Sequence, residues 1–209
     1  MGEPVAQAVA APGERRTPRQ ERSKAKVDHI LDAAEQLVIT NGTSDLTTTR
    51  VAEFAGVAVG TLYQYFDGVV DLLLRLESRC AERFAGLVES RLHTQRPTRK
   101  RDVANLALDC CIEFYRHDAL AQALTRDTGR FSDVFGAAAP VVAKAVTQSL
   151  ARNGLGGADD GRFTVEVELH MAIAQALLPI AFRLNRRGDP AVIAYLRHGF
   201  SYDTPPTTR

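Results

Sequence analysis

Residues 47–66 read Thr-Thr-Thr-Arg-Val-Ala-Glu-Phe-Ala-Gly-Val-Ala-Val-Gly-Thr-Leu-Tyr-Gln-Tyr-Phe. They read as two short helices around a tight turn, the second ending in an aromatic cluster. A helix-turn-helix aims a helix at the DNA major groove in this way.

Thr48 is expected to cap the first helix by accepting a backbone N–H two or three residues on. Val51, Ala52, Phe54 and Ala55 supply its apolar side. Gly56 ends it, since a sharp turn often needs a positive φ that glycine adopts freely. Val57 plugs the turn. The second helix is expected over about 58–65, burying Leu62 and Phe66 on one face. Val59, Gly60, Thr61, Tyr63 and Gln64 are left facing outward. Thr61, Tyr63 and Tyr65 can donate to phosphate oxygens, Gln64 can reach a base edge or a phosphate, and Val59 can touch a thymine methyl. Thr48, Thr49 and Arg50 complete the expected DNA-contact set. The competing reading is a helical hairpin whose aromatics are only core.

The motif set resembles the DNA-binding domain of the tetracycline-repressor-like (TetR) family of bacterial regulators. Its matching pieces are Ala55-Gly56-Val57, Gly60-Thr61-Leu62-Tyr63 and Tyr65-Phe66, followed by Leu72-Leu73, within about residues 24–76. Family members usually carry Lys-Glu at the start of the next helix, the lysine gripping a phosphate. Val69 and Val70 stand there instead, so that contact is not carried over. Either backbone N–H groups at this helix start hold the phosphate alone, or Arg50 and the N-terminal arm substitute.

Charge is arranged rather than abundant, with a formal net of +1. Residues 15–26 hold six cations (Arg15, Arg16, Arg19, Arg22, Lys24 and Lys26) against Glu21 alone. Such an arm can follow phosphates or enter a minor groove; a solvated tail is the alternative. Residues 1–21 are expected to be a disordered basic arm, 22–68 the helix-turn-helix domain, 69–202 a helical ligand-binding and dimerisation domain, and 203–209 a disordered tail.

No apolar run is expected to reach the roughly 20 residues of a membrane span. No signal-peptide pattern is expected either. Three cysteines, two of them adjacent, argue against a secreted disulfide framework. A cytoplasmic location with no membrane contact follows as the expectation.

Helical periodicity dominates the chain. Val27, Ile30, Leu31, Ala34, Leu37 and Val38 mark one buried face, with Ser23 as the expected cap and Asn41-Gly42 as the stop. After the turn, Asp67 is expected to cap a long helix carrying Leu73, Leu76, Cys80, Phe84, Leu87, Val88 and Leu92, a lever between domains. Further helices are expected over about 101–116, 119–125, 132–153, 162–187 and from Asp189-Pro190 to about 199. With no strand candidate, the fold is expected to be all-α: an N-terminal three-helix helix-turn-helix domain and a C-terminal helical ligand-binding and dimerisation domain.

Leu169, Ile173, Ala176, Leu177, Ile180 and Leu184 form a broad apolar stripe, and Ile193 and Leu196 a second. Two such helices from each of two chains make a four-helix bundle; the alternative is intrachain core. The resemblance implies the same dimerising pair. A homodimer would read a palindromic double-stranded operator, its half-sites about 34 Å or a multiple apart. The resemblance also implies release by a small-molecule effector. Phe84, Phe114, Phe131, Phe135 and Met171 are candidate pocket walls, and His117, His170 and Gln175 candidate anchors. An operator-bound dimer blocks polymerase by occupancy, so a repressor is the expected role.

Two rival classes have weaker signals. Glu113/His117 and Glu166/His170 are four apart, whereas carboxylate-bridged metal bundles use Glu-x-x-His. No catalytic residue, metal site or cofactor is assigned on that basis. Cys80, Cys110 and Cys111 raise a thiol redox sensor, although adjacent helical cysteines point about 100° apart.

Overall fold

The computed structural model of the chain describes residues 18–126, 134–154, 160–185 and 187–199. Every regular element among them is a helix. The first, α1 (Pro18–Asn41), starts ahead of the expected boundary at 22, with proline in the first turn and Glu21 near the positive helix end. Ser23 is therefore inside the helix and does not cap it. Arg19 and Arg22 ride on α1 instead of an arm, while Arg15 and Arg16 lie outside the described residues. Ile30, Leu31, Ala34 and Val38 are buried, as their spacing predicts.

Next come α2 (Thr48–Phe54) and α3 (Val59–Leu62). The cap of α2 is Thr47, not Thr48. Thr47 has the extended backbone a cap needs, and its hydroxyl accepts the Arg50 N–H at 3.2 Å. Phe54 is a second correction: it is 61% exposed. Val51, Ala52 and Ala55 already fill the inward face, and Phe54 sits about 100° round from Ala55. The α3 helix is shorter than expected. Tyr65 N–H bonds the Leu62 carbonyl at 3.0 Å, an i→i+3 bond that tightens the chain out of α-geometry.

The lever α4 (Val69–Gln95) has Gly68 at its cap position, φ 139°, where Asp67 was expected. Asp67 takes part differently: its N–H donates to Asp71 Oδ2 at 3.1 Å. Leu72, Leu76, Cys80, Phe84, Val88 and Leu92 are buried along its length of about 40 Å. The upper half of this spine closes the core of α1–α3 and the lower half packs on α5 (Lys100–His117) and α7 (Val134–Arg152). One rigid element thus belongs to both cores. The short α6 (Ala119–Arg126) touches both α1 and α4. Pro140 falls within α7, and the breaker at 127–129 lies outside the described residues.

The α8 helix (Asp160–Leu184) begins slightly earlier and ends earlier than expected. It packs on α5, α7 and α9 (Pro190–Gly199). Asp189 caps α9, its Oδ1 accepting the N–H groups of Ala191 and Val192 at 2.9 and 3.2 Å. Gly188 is required at the α8–α9 corner. Its φ is +86°, and a Cβ would lie 2.6 Å from Ile193 Cδ1.

The expectation about apolar length needs correcting. Val165–Arg183, 19 residues of α8, is long and apolar enough to cross a membrane by length and composition. Val167, Met171, Ala174, Leu178 and Ala181 nevertheless bury one side of it within this chain. The opposite side is bare: Leu169 is 58% exposed and Ile180 38%.

Candidate DNA interface and ligand cavity

Beneath the turn, Val51, Ala52, Ala55, Leu62 and Phe66 are buried, and Val57 packs against the same core. Gly56 takes φ +63°, and the Val57 N–H closes back on the Ala52 carbonyl at 2.9 Å. His29 of α1 braces the turn through Nε2 and the Ala55 carbonyl at 2.8 Å. The two short helices are therefore fixed from below, and everything not needed for packing points out.

The outward surface holds most of the predicted contact set. Val59, Gly60, Tyr63 and Gln64 are exposed and Thr61 half-exposed. Ala58 precedes α3 without a side-chain cap, so no bulky group shields the start of that helix. Thr48 and Tyr63 come together, their hydroxyls 3.2 Å apart, joining the start of α2 to the end of α3. Two residues sit differently from the free donors the sequence suggests. Tyr65 is half-buried and packs on the core. Arg50 is tied to the α1–α2 loop, Nη1 donating to the Asp45 carboxylate at 3.2 Å and carbonyl at 3.1 Å. Arg22, Lys24 and Lys26 are exposed on α1.

At the missing Lys-Glu positions, Val69 packs against the core and Val70 is 55% exposed. Arg75 organises this corner. It donates through Nε to Asp71 Oδ1 at 3.0 Å and lies 5.0 Å over the Phe66 ring. Its hydrogen bond holds the Asp71 carboxyl below the usual range, aided by the Asp67 N–H against a burial penalty. The acid is thus neutralised locally where the resemblance leads one to expect a cation.

In the C-terminal half, a small apolar cavity of about 10 Å³ lies between α5 and α8, room for roughly one water. Ala104, Ala107, Leu108, Cys111, Val167, His170 and Met171 line it. The structure thus brings His170 and Met171 together. The α5 wall was not foreseen as a pocket, since Ala104, Ala107, Leu108 and Cys111 follow ordinary core spacing. Phe84 and Phe114 pack against each other in the core, ring centroids 5.3 Å apart and tilted by 59°, and are not among the lining residues. His117 is exposed at the end of α5, and Gln175 is half-buried. Phe131 and the side chain of Phe135 lie outside the described residues. Of the apolar stripes, Leu169, Ala176 and Ile180 are exposed and Ile173, Leu177 and Ile193 half-buried. Leu196 is buried in its own chain, so it is not on a free face. The side chain of Leu184 is outside the described set.

The rival signals resolve into structural roles. Glu113 is held by Arg91 at 2.6 Å, and Glu166 lies 3.4 Å from Arg162. Among the described residues, no three potential metal ligands cluster. Burial pushes the Cys110 thiol up to about 12. Burial likewise raises Cys80 and Cys111 strongly. Arg83 and Arg91 are cationic neighbours that the sequence did not reveal, and they pull the other way without prevailing. These three thiols stay protonated and weakly nucleophilic.

A helix-turn-helix on a rigid lever, followed by a helical domain with an apolar cavity, defines the class: a DNA-binding regulator fold. The same segment matches the bacterial regulatory proteins, tetR family, over residues 30–76, so this part of the chain is similar to the N-terminal domain of that family. The fatty acid metabolism regulator protein of Bacillus subtilis (strain 168) is 36% identical over 55 residues, 26% of this chain. That match spans only 28% of the relative's length. A TetR-family transcriptional regulator from Streptomyces coelicolor shares the fold with a TM-score of 0.69 at 23% identity, covering 84% of this chain and 95% of that one. FadR from Bacillus subtilis, solved in complex with stearoyl-CoA, gives 0.55 at 17% identity, covering 83% and 95%.

Proposed function

We propose that this regulator binds a palindromic operator as a homodimer, represses by occupancy, and is released by a small apolar-bodied ligand. Residues 22–68 form the DNA-binding unit in this reading and 69–202 the ligand-binding and dimerisation unit. The carrying observation is the Thr48–Tyr63 surface on a turn whose Val51, Ala52, Ala55, Leu62 and Phe66 are spent on packing. Thr48, Thr49, Thr61 and Tyr63 face phosphates, the half-buried Tyr65 supports them from the core, Gln64 and Val59 face base edges, and Gly60 permits close approach. Arg50 reaches a phosphate by exchanging its exposed Asp45 partner. Arg22 and the neighbouring arm residues add a salt-dependent contribution.

The bare side of α8 supports the dimer. Leu169, Ala176 and Ile180 on a helix already packed on its other side form a dry seam for a second copy. For the ligand, the apolar α5–α8 cavity supports an apolar body. Its volume is far below that of usual ligand sites, so the walls must part on binding. Long-chain acyl-CoA is the first candidate, because FadR, which shares the fold, was solved with stearoyl-CoA.

The deciding experiment is selection from a random duplex pool at near-physiological salt. Enrichment of a palindrome supports the reading; folded protein that enriches nothing removes it. Stearoyl-CoA added to the selected complex should release the duplex. No release would discard acyl-CoA as the ligand and keep the operator.

A further inference from the structure

Six charged residues join three helices in a way that DNA binding does not explain. Asp28, Asp32 and Glu35 lie on one face of α1, opposite Arg79 and Arg83 on α4. Arg79 reaches Asp32 at 2.6 Å, Glu35 at 3.3 Å and Asp28 at 3.6 Å. Arg83 is divided. Its Nη1 donates to Glu35 Oε1 at 3.1 Å, while Nε and Nη2 donate to Asp118 at 3.0 and 3.3 Å. Asp118 also caps α6, its Oδ1 accepting the Ala121 N–H at 2.8 Å. The Glu35 and Asp118 side chains are only 17% and 14% exposed.

We propose that Arg83, shared between Glu35 of α1 and Asp118 at the head of α6, is the joint through which the ligand domain sets the operator affinity of the helix-turn-helix. This inference rests on the DNA-regulator reading. The reason lies in the kind of contact. An apolar helix interface is non-directional and tolerates small slides. A guanidinium fork has a fixed geometry and loses both bonds when one acceptor rotates. Losing Arg83 leaves the mostly buried Asp118 without its cation, while Glu35 keeps Arg79, so the two arrangements are discrete.

The path from the cavity to this joint is continuous. Tyr115 of α5 packs on Phe182 of α8, ring centroids 5.0 Å apart. Its hydroxyl lies 2.6 Å from Thr125 Oγ1 on α6. Parting α5 from α8 to admit a ligand therefore pulls on α6, whose capping residue holds Arg83. On the other side, Glu35 stands on α1, which braces the turn through His29. Coupling between two sites is reciprocal. If the α6 setting biases operator affinity, operator binding must bias α6.

That reciprocity gives a test without any effector. Hydrogen exchange of the α6 amides is measured on the full chain, with and without the selected duplex. The wild type should show a change of about fivefold or more in α6 exchange on binding. Arg83→Gln and Glu35→Gln should each reduce the change to below about twofold. Arg91→Gln, which breaks an α4–α5 pair remote from the joint, should keep it. If Arg83→Gln fails to fold, Glu35→Gln and Asp118→Asn carry the test, since asparagine can still cap α6. Wild-type protein that binds its duplex with α6 unchanged would overturn the inference alone, as would an unaltered response in the folded variants. A chain that selects no duplex removes the inference together with the reading beneath it.

Discussion

The helix-turn-helix and α8 expose opposite chemistry. On α2 and α3 Val51, Ala52 and Leu62 turn inward, leaving hydroxyls, an amide and a tyrosine outside beside Phe54 and Val59. On α8 the inward side is apolar, and Leu169 and Ile180 still remain outside. Phosphates and base edges demand donors and tolerate water. A second copy of the chain demands a dry, close-packed face. In the proposed function these two surfaces serve partners of different chemistry, and α4 packs on both α1 and the α5–α7 helices between them.

The largest way to break this contrast is to make the α8 surface polar. Leu169→Asp combined with Ile180→Asp should leave a folded monomer, since both side chains are outside the chain's own core. Sedimentation should show one-chain mass, and operator affinity should fall by about 10²-fold or more with bivalency lost. An intact dimer would place the interface elsewhere. The inward side of the turn comes next. Leu62→Ala should cost about 2–5 kcal/mol of stability in denaturant unfolding, and a smaller loss would mean the site collapses around the gap.

The outward side of the turn should separate binding from stability. Tyr63→Ala is expected to weaken operator binding about tenfold, roughly the 1–3 kcal/mol of one good contact, with the unfolding midpoint nearly unchanged. A matching loss of stability would return Tyr63 to a packing role. Arg50→Ala should do less, because Arg50 must leave Asp45 to reach DNA. Its expected signature is a uniform weakening with a salt slope smaller by about one; altered sequence preference would make Arg50 a base reader.

The smallest effect concerns the corner at Val69 and Val70. Asp71 has a lowered folded pKa, so its contribution is present at neutral pH and lost as pH falls through that folded value. Acid unfolding of Asp71→Asn should lack this portion. Superimposable acid curves would show that Arg75 braces the corner without it.

Much of the DNA end was legible because its rules are local. A capping hydroxyl, a glycine at positive φ and residues at helical spacing are fixed by neighbours in sequence. Errors there were of one position, as with Thr47 for Thr48 and Gly68 for Asp67, since capping depends on backbone angles. Phe54 was misread because hydrophobicity does not say which of two adjacent faces is already full. The cavity was half legible. His170 and Met171 were foreseen, but Ala104 and Ala107 look like any small core residues until α8 is laid against them. His117 lies apart from the cavity, exposed at the end of α5.

From the sequence alone followed an all-helical chain, a helix-turn-helix at 47–66 and the family it resembles, because short-range backbone geometry and helical periodicity are written in consecutive residues. The tertiary structure alone decided that Arg50 is held by Asp45, that Leu196 is buried while Leu169 is bare, and that Glu35, Arg83 and Asp118 meet. Those facts depend on which faces of distant helices are brought together, and ion pairs between residues 35, 83 and 118 have no signature in local spacing.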